Sequence, residues 1–223
     1  MNLINSKYGI DIKFKENHAN ILVIENPESM NDIINSLFLT VKEESEDFML
    51  WEDSKQLRMG KCTDMLIDYY NIDFNSKKIV SALYLEMNQI LEDEDITKAL
   101  INKNIGDALD IALLKIPYEC ISYNLDFEWK DLFKFYNVKI DSSYSTLEEK
   151  IIEYIKIIVN FCSTKLLVLV NAHNYLSVDS LRNIYQMAFY EKLSLLLIES
   201  HEYFQEPDEE MMIIDKDNCI ILK

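Results

Sequence analysis

KLLVLVNAHNYLSVDSLRNIYQMAFYEKLSLLLIES, residues 165–200, is the stretch that decides the fold. Leu166–Val170 and Leu193–Ile198 are short apolar runs of strand length, and the polar segment Asn171–Tyr175 follows the first of them. Ser177 is a favoured helix N-cap, and apolar residues then recur at helical spacing. Two apolar strands joined by a crossover helix form a βαβ unit, so the sequence predicts parallel strands that are buried on both faces.

Strand patterns occupy both ends of the chain. Outside the βαβ unit, short apolar or alternating runs predict strands at Ile10–Phe14, Asn20–Ile24, Phe48–Trp51, Met211–Ile214 and Cys219–Leu222. We expect the first two of these strands to flank a polar turn at residues 15–19, and the last two to form a terminal hairpin.

Helical patterns occupy the middle of the chain. Apolar residues recurring at helical spacing predict helices at Pro27–Val41, Cys62–Tyr70, Ser76–Leu91, Ile96–Leu114 and Asp131–Tyr136. Asn26 is the expected N-cap of the first helix, with proline at the first helical position. A last helix is predicted to begin at a capping box formed by Ser145 and Glu148 and to run to Cys162.

The simplest architecture is an α/β head formed by both termini, residues 1–58 and 162–223, with an α-helical domain inserted at residues 59–161. The chain has 223 residues, which is long enough for one domain plus a subdomain. Only three glycines and three prolines are present, which argues against linkers and against turn-rich all-β folds.

The chain is strongly acidic, with 22 basic and 39 acidic residues and a formal net charge of −17. This balance on its own argues against a nucleic-acid partner, because phosphate binding requires positive surface. Net charge describes solubility and not the local field in a groove. A basic strip inside an acidic protein therefore stays possible.

Cysteine usage and hydropathy indicate a cytoplasmic protein. Cys62, Cys120, Cys162 and Cys219 lie far apart without a CxxC pair, so we expect free thiols in a reducing compartment. The N-terminus lacks a signal-peptide pattern, and no run is long enough to span a bilayer. We therefore expect no membrane partner.

An α/β head raises the question of nucleotide binding. A P-loop needs GxxxxGK[ST], so that glycine amides can wrap the phosphates. The nearest match is Gly60-Lys61-Cys62-Thr63, but Lys55 stands at the position of the first glycine. The glycines are too widely separated for GxGxxG. The sequence therefore predicts a head without a functional nucleotide site.

His173 follows a predicted parallel strand, at the edge where α/β folds place ligands. Asn171 and Asn174 lie beside it in the sequence and could complete a site. Polar residues in such a loop also simply cap the ends of strands and helices, and both interpretations stay open here. No cysteine, histidine and carboxylate spacing indicates zinc.

Carboxylates cluster around a bend at YECISYNLDFEWKD, residues 118–131. Glu119, Asp126 and Glu128 lie there between predicted helices. Carboxylates and backbone carbonyls at a broken helix suit Ca²⁺, which takes 6–8 oxygen ligands. The chain has no EF-hand loop, and an ordinary solvated acidic bend is the alternative.

The basic residues fall into two groups. Lys55, Arg58 and Lys61 lie close together in the sequence, and Lys98, Lys103 and Lys115 are spread along the middle helices. Surface helices routinely carry such lysines, so solvated faces and a nucleic-acid contact are both compatible with this spacing.

Four segments in the same order and spacing resemble the CRISPR-associated Csn-two family of subtype II-A systems. These segments are ANILVIENPESMNDIINSLF (19–38), LWEDSKQLRMGKCTDMLIDYYNIDFNSKKI (50–79), YECISYNLDFEWKDLFKFYNVKI (118–140) and KLLVLVNAHNYLSVDSL (165–181). The acidic bend is shorter and less acidic than the family pattern.

The resemblance implies a head related to P-loop NTPases but without a working nucleotide site, and a helical leg. It implies a non-enzymatic homotetrameric ring that binds Ca²⁺ and threads double-stranded DNA ends through a basic hole without sequence preference. Such proteins act in spacer acquisition beside the Cas integrase proteins and the effector nuclease. The resemblance assigns DNA binding to the basic residues Lys55, Arg58, Lys61, Lys98, Lys103 and Lys115. It assigns metal binding to Glu119, Asp126 and Glu128.

Two hypotheses from other classes stay open. The first is a metal-dependent phosphohydrolase or nuclease that uses the acidic bend or the Asn171–His173 loop, although no paired motif for two-metal chemistry is present. The second is a protein-only scaffold of the adaptation complex, whose acidic surface docks basic partners.

Overall fold

The computed structural model describes residues 1–93, 98–118, 120–141 and 143–223. The chain divides into two compact units. The first unit contains Met1–Phe74 and Asp141–Lys223, and the second contains Asn75–Ile140.

The first unit contains both strands and helices, whereas the described elements of the second unit are all helices. The strands are β1 (Asn2–Asn5), β2 (Ile10–Lys13), β3 (Ala19–Ile24), β4 (Met49–Glu52), β5 (Lys55–Leu57), β6 (Thr63–Leu66), β7 (Leu166–Val170), β8 (Ser194–Glu199), β9 (Glu209–Ile214) and β10 (Ile220–Leu222). The helices are α1 (Pro27–Val41), α2 (Met59–Cys62), α3 (Lys77–Asp93), α4 (Lys98–Leu113), α5 (Trp129–Phe135), α6 (Leu147–Asn160) and α7 (Val178–Tyr190). Of these, α3, α4 and α5 belong to the second unit.

A six-stranded sheet forms the centre of the first unit, in the order β10-β9-β3-β8-β7-β6. β3 is parallel to both of its neighbours, and β7 is parallel to β8 and β6. Every residue of β3 and β7 is buried, as expected for parallel strands covered on both faces. The predicted βαβ unit is confirmed, and so is the terminal hairpin, in which β10 pairs antiparallel with β9.

Alternate residues of the large sheet face two different layers. Leu22, Val168 and Leu196 belong to a core cluster that also contains residues of α1 and of a smaller sheet. The residues between them point to the opposite face, because side chains alternate along a strand. On that side α7 packs against β8, and α6 packs against α7.

The smaller sheet has four antiparallel strands in the order β2-β1-β4-β5. The structure confirms the strands predicted at Ile10–Phe14 and Asn20–Ile24 and the turn between them, and it assigns the two strands to different sheets. Residues of β2 are alternately buried and exposed, which suits a sheet covered on one face. β3 has no exposed residue, so it fits only the interior of the large sheet.

The segment around residues 59–70 corrects one prediction. A helix was expected at Cys62–Tyr70, but the structure has the short helix α2 followed by strand β6. β6 pairs with β7 from Thr63 opposite Leu166 onward, which buries Thr63 and Leu66. Long-range pairing to an apolar strand therefore overrides the local helical pattern in this segment.

The boundaries of the inserted unit also differ from the expected residues 59–161. β6 pairs with β7, and α6 packs against α7, so both elements belong to the first unit. The helix α6 begins one residue later than predicted. Its capping box joins Thr146 and Glu149, in place of Ser145 and Glu148, because the Thr146 hydroxyl accepts the Glu149 N–H while the Glu149 carboxylate accepts the Thr146 N–H.

The second unit contains α3, α4 and α5 and is closed by hydrogen bonds between its two ends. The Asn75 side chain donates to the Ile140 carbonyl at 2.9 Å and accepts from its N–H at 2.8 Å. Tyr84 on α3 donates to the Val138 carbonyl and packs its ring 5.4 Å from that of Phe133 on α5. The predicted start of the middle helix at Ile96 lies outside the described residues, and the described helix begins at residue 98.

Within the part of the chain that the structure describes, we find no helix with both the length and the apolar content that a membrane crossing requires.

Helix α1 depends on the N-cap that follows the central strand. The Asn26 side chain accepts hydrogen bonds from the Glu28 and Ser29 N–H groups, so we expect Asn26→Ala to lower the free energy of unfolding by about 1 kcal/mol. Urea denaturation measures this decrease. Asn35→Ala, at an exposed position of the same helix, is the matched control and should cause no decrease. Equal stability of the two variants would contradict the role of the cap.

Candidate functional site

The carboxyl ends of β7 and β8 lie side by side, and polar residues follow both strands. Asn171 comes directly after β7 with a φ of +53°, a left-handed conformation that asparagine tolerates better than most residues. A short 3₁₀ turn, Ala172–Asn174, then brings His173 back toward the end of β8. The structure thus places the predicted loop at this edge of the sheet.

Glu199, the last residue of β8, binds this loop from inside the core. Its side chain is 0% exposed, and its Oε1 atom lies 2.9 Å from His173 Nδ1 and accepts the His173 backbone N–H at 3.2 Å. The His173 ring stacks on Tyr203 at a centroid distance of 4.2 Å, and the Tyr203 hydroxyl donates to Asn174. The cluster therefore links β7, β8 and the segment that follows β8.

Burial controls the electrostatics of this cluster. The Tyr69 hydroxyl donates to the Val170 carbonyl, and burial raises the pKa of Tyr69 far above its ordinary value, with a further rise from the nearby Glu199 carboxylate. Glu199 Oε2 and Asn171 Oδ1 are buried without a hydrogen-bond partner among the described residues. The His173 side chain is only 10% exposed, so the arrangement favours a structural link over an acid–base pair that meets substrate.

Sequence reasoning identified the loop at Asn171, His173 and Asn174 but missed Glu199 and Tyr203. Glu199 directly follows the apolar run Leu193–Ile198. A carboxylate at the end of a predicted parallel strand is a signal that could have identified it. Tyr203 lies in a segment without regular structure, where the sequence carries no comparable signal.

The helix N-terminus after the central strand is occupied by the chain itself. Free N–H groups at such a position bind phosphates in many α/β proteins. Here the Asn26 side chain accepts two of them, Pro27 has no N–H, and Glu28 adds a carboxylate to the first turn. The Asn26 amide also donates to the Lys216 carbonyl, which closes the β9–β10 turn over this position.

The glycine of the nearest P-loop match has a different role in the structure. Gly60 lies in α2, and a Cβ atom there would meet the Glu43 Cγ atom at 2.7 Å and the Val41 carbonyl oxygen at 2.9 Å. The glycine is therefore needed because the chain after α1 passes directly over it.

The first group of basic residues is exposed on the first unit. Lys55 lies in β5, Arg58 immediately precedes α2, and Lys61 lies within α2. Arg58 forms a two-point ion pair with Glu43, from Nη2 to Oε2 at 2.6 Å and from Nε to Oε1 at 3.2 Å. Neither lysine has an ion pair with a described residue.

The second group of basic residues belongs to the second unit. Lys98 is the first residue of α4, Lys103 lies five residues further on, and Lys115 lies just beyond the end of the helix. Five residues turn the helix by roughly 140° beyond a full turn, so Lys98 and Lys103 do not share one face. The Lys98 ammonium lies 5.7 Å from the centre of the Phe127 ring.

The acidic bend contributes two described carboxylates. Asp126 and Glu128 are exposed in an extended stretch before α5, and the Asp126 N–H donates to the Asn124 side chain. Glu119 lies outside the described residues. Across residues 1–93, 98–118, 120–141 and 143–223, no three histidine, cysteine, aspartate or glutamate side chains form a group that could hold a metal ion. These residues alone do not fit a calcium site, and the calcium site stays a prediction.

The chain is similar to known CRISPR-associated proteins over most of its length. A profile of the family described as CRISPR-associated protein (Cas_Csn2) matches residues 40–218. The CRISPR-associated protein Csn2 of Streptococcus agalactiae is 24% identical over 211 residues, covering 92% of this chain and 90% of that protein. The Csn2 protein of Enterococcus faecalis is 23% identical over 188 residues, covering 81% and 82%.

Among solved structures, an ATP-binding cassette of an ABC transporter in its ADP conformation covers 92% of this chain and 79% of its own. Its sequence identity is 11% and its TM-score is 0.40, too low to support a conclusion about the fold.

The His173–Glu199 contact predicts a measurable effect on stability. In His173→Ala the buried carboxylate has no ring partner, so we expect the free energy of unfolding to fall by about 2–3 kcal/mol. Urea denaturation measures the decrease, with His201→Ala as the control, since the exposed His201 ring has a hydrogen bond only with the neighbouring Ser200 hydroxyl among the described residues. A His173→Ala protein as stable as the control would show that the contact contributes nothing.

Proposed function

The chain belongs to the Csn2 family of CRISPR-associated proteins, and from that membership we propose that it binds double-stranded DNA ends as a homotetrameric ring. The binding is non-enzymatic and independent of sequence, and it serves spacer acquisition in the cytoplasm beside the Cas integrase proteins and the effector nuclease. The observation that carries the proposal is the family match over residues 40–218.

Exposed lysines without carboxylate partners support contact with DNA phosphates. Lys55, Lys61, Lys103 and Lys115 are exposed, and none of them has an ion pair with a described residue. Contacts to phosphates position a protein on a duplex without reading its sequence. Because the whole chain carries a charge of −17, these lysines act only where several subunits bring them to one surface.

Exposed apolar side chains on α4 and after it support self-association. Leu100, Ile111 and Leu114 are 64%, 59% and 86% exposed. Eleven residues span about three helical turns, so Leu100 and Ile111 lie on one face of α4, and exposed apolar faces are typical of protein–protein contact surfaces. In the proposed assembly these side chains are covered by other subunits.

The occupied N-terminus of α1 supports a head that does not bind nucleotide. Asn26 already accepts the N–H groups that a phosphate would need, and Glu25 and Glu28 place negative charge beside them. The head, which the resemblance relates to P-loop proteins, therefore serves in this proposal as a scaffold for the ring and binds no nucleotide.

Calcium enters the proposal through the family resemblance, and the described residues do not complete a site for it. Asp126 and Glu128, together with Glu119, are the residues that would hold the ion. The chemistry that calcium would supply is neutralisation of these carboxylates, which lowers repulsion within a strongly acidic protein.

We expect binding to depend on free duplex ends. A fluorescence titration with a linear blunt-ended duplex should show tight binding, and closed circular DNA of the same sequence should bind weakly because it offers no end to enter a ring. Equal affinity for the two forms would contradict threading over ends. No binding to either form, even at low salt with calcium present, would favour the protein-only scaffold.

The same titration tests the metal. A calcium chelator should weaken binding, and the mass of the native particle should fall from that of four subunits. Unchanged affinity and mass would remove calcium from the proposal. Incubation of labelled DNA and nucleoside triphosphates with Mg²⁺ or Mn²⁺ should give no turnover, and turnover would favour the phosphohydrolase instead.

Neutralising the unpaired lysines should weaken binding uniformly across sequences. For the pairs Lys55→Gln/Lys61→Gln and Lys103→Gln/Lys115→Gln, we expect the logarithmic salt dependence of affinity to become shallower by about 0.9 for each phosphate that the variant no longer neutralises. Lys216→Gln, at an exposed position in the β9–β10 turn, is the matched control and should bind as the native protein does. A change that differs between DNA sequences, or one that the control reproduces, would contradict phosphate binding by these lysines.

A further inference from the structure

Both arginines of this chain are committed to carboxylates. The sequence contains only Arg58 and Arg182. Arg182 contacts Asp179 and Glu206, and Arg58 contacts Glu43. Arginine is the side chain best suited to two-point recognition of phosphate, because its planar fork matches two oxygens at once. A protein proposed to bind DNA backbone therefore keeps this group occupied in the free state.

The Arg58–Glu43 contact has the geometry with which arginine recognises phosphate. Two nitrogens of the guanidinium donate to the two oxygens of one carboxylate, at 2.6 Å and 3.2 Å. Both side chains stay accessible, at 65% exposure for the arginine and 44% for the glutamate. A phosphodiester group can therefore reach the same donors, but only by displacing the carboxylate.

Two unusual backbone features hold Glu43 in this position. Its φ is +60°, a left-handed conformation that normally favours glycine, directly after the C-cap of α1. Its side chain then passes over Gly60 so closely that a Cβ atom at residue 60 would lie 2.7 Å from Glu43 Cγ. Both features place the carboxylate on the arginine at the start of α2.

We propose that Glu43 is an intramolecular competitor that occupies Arg58 until a phosphate of duplex DNA displaces it. This inference rests on the proposed function and concerns its regulation at the Lys55, Arg58 and Lys61 surface. Because a phosphate must first displace the Glu43 carboxylate, each phosphate contact to Arg58 carries an energetic cost. Single stray phosphates therefore bind poorly, whereas a duplex held by several subunits supplies enough contacts at once to release the arginine.

Glu46 is a control for Glu43, because it carries the same charge nearby but does not pair with Arg58. Comparing the two distinguishes specific competition from the effect of general negative charge. Glu46 lines the same open groove as Glu43 and Arg58, is exposed, and has no ion pair with a described residue. Glu43→Gln and Glu46→Gln remove the same charge from the same groove, and only the first changes the partner of Arg58.

The first test is a cycle of variants in the full-length protein, titrated with a blunt-ended duplex of arbitrary sequence. We expect Glu43→Gln to bind about fivefold tighter than the native protein, and Glu46→Gln to change affinity by less than about twofold. Arg58→Gln should weaken binding in both backgrounds, and more strongly in the Glu43→Gln background, where it should abolish the gain. Thermal unfolding of each variant establishes that it is folded.

The second test measures the occupancy of Arg58 without DNA. Phenylglyoxal modifies accessible guanidinium groups, and mass spectrometry of peptides distinguishes the two arginines. Glu43→Gln should raise the modification rate of Arg58 severalfold and leave that of Arg182 unchanged. Added duplex should then protect Arg58 more strongly in this variant than in the native protein.

The outcomes separate this inference from the function on which it rests. If the native protein binds the duplex and Glu43→Gln binds no tighter, or if Arg58 is modified at the same rate in both, competition by Glu43 is wrong and the DNA-binding proposal stands. If Glu46→Gln gives the same gain, the effect is general charge and the inference is again overturned. If no variant binds the duplex, both proposals fail together.

Discussion

The whole structure depends on the hydrogen bonding of two strands, β3 and β7, that are buried on both faces. All five residues of β7 are buried, and neither face of β3 meets water. Their backbone groups can be satisfied only by neighbouring strands, and their side chains only by covering layers on both faces. The positions of β6, α1, α6 and α7 all follow from this requirement. The small antiparallel sheet extends the same core on the side of α1.

The elements that sequence predicted well are those whose signal is local. The βαβ unit, α1 with its Asn26 cap and the terminal hairpin each depend on residues close together in the chain. β6 was missed because its strand state comes from pairing with residues about a hundred positions away. The cap of α6 was displaced by one residue because two overlapping frames, Ser145 with Glu148 and Thr146 with Glu149, both satisfy the capping pattern.

The candidate site shows the same division between local and long-range information. His173 could be located from its position after a predicted strand, but its partner Glu199 required the register of two strands. The basic surface could be described from the sequence, yet the neutralisation of Arg58 arises from the path of the chain between α1 and α2. Charge counted along a sequence therefore overstates what is available to a ligand, because the fold decides which cations already have partners.

The strand order has a consequence for how the protein is made. β3 lies near the N-terminus, and one of its two neighbours, β9, is formed by residues 209–214 near the C-terminal end. While the chain is still being synthesised, that edge of β3 has no strand to pair with, and its apolar residues are open to other chains. The central sheet is completed only after residues 209–214 have left the ribosome, so one edge of β3 stays without a partner for as long as the intervening residues are being synthesised.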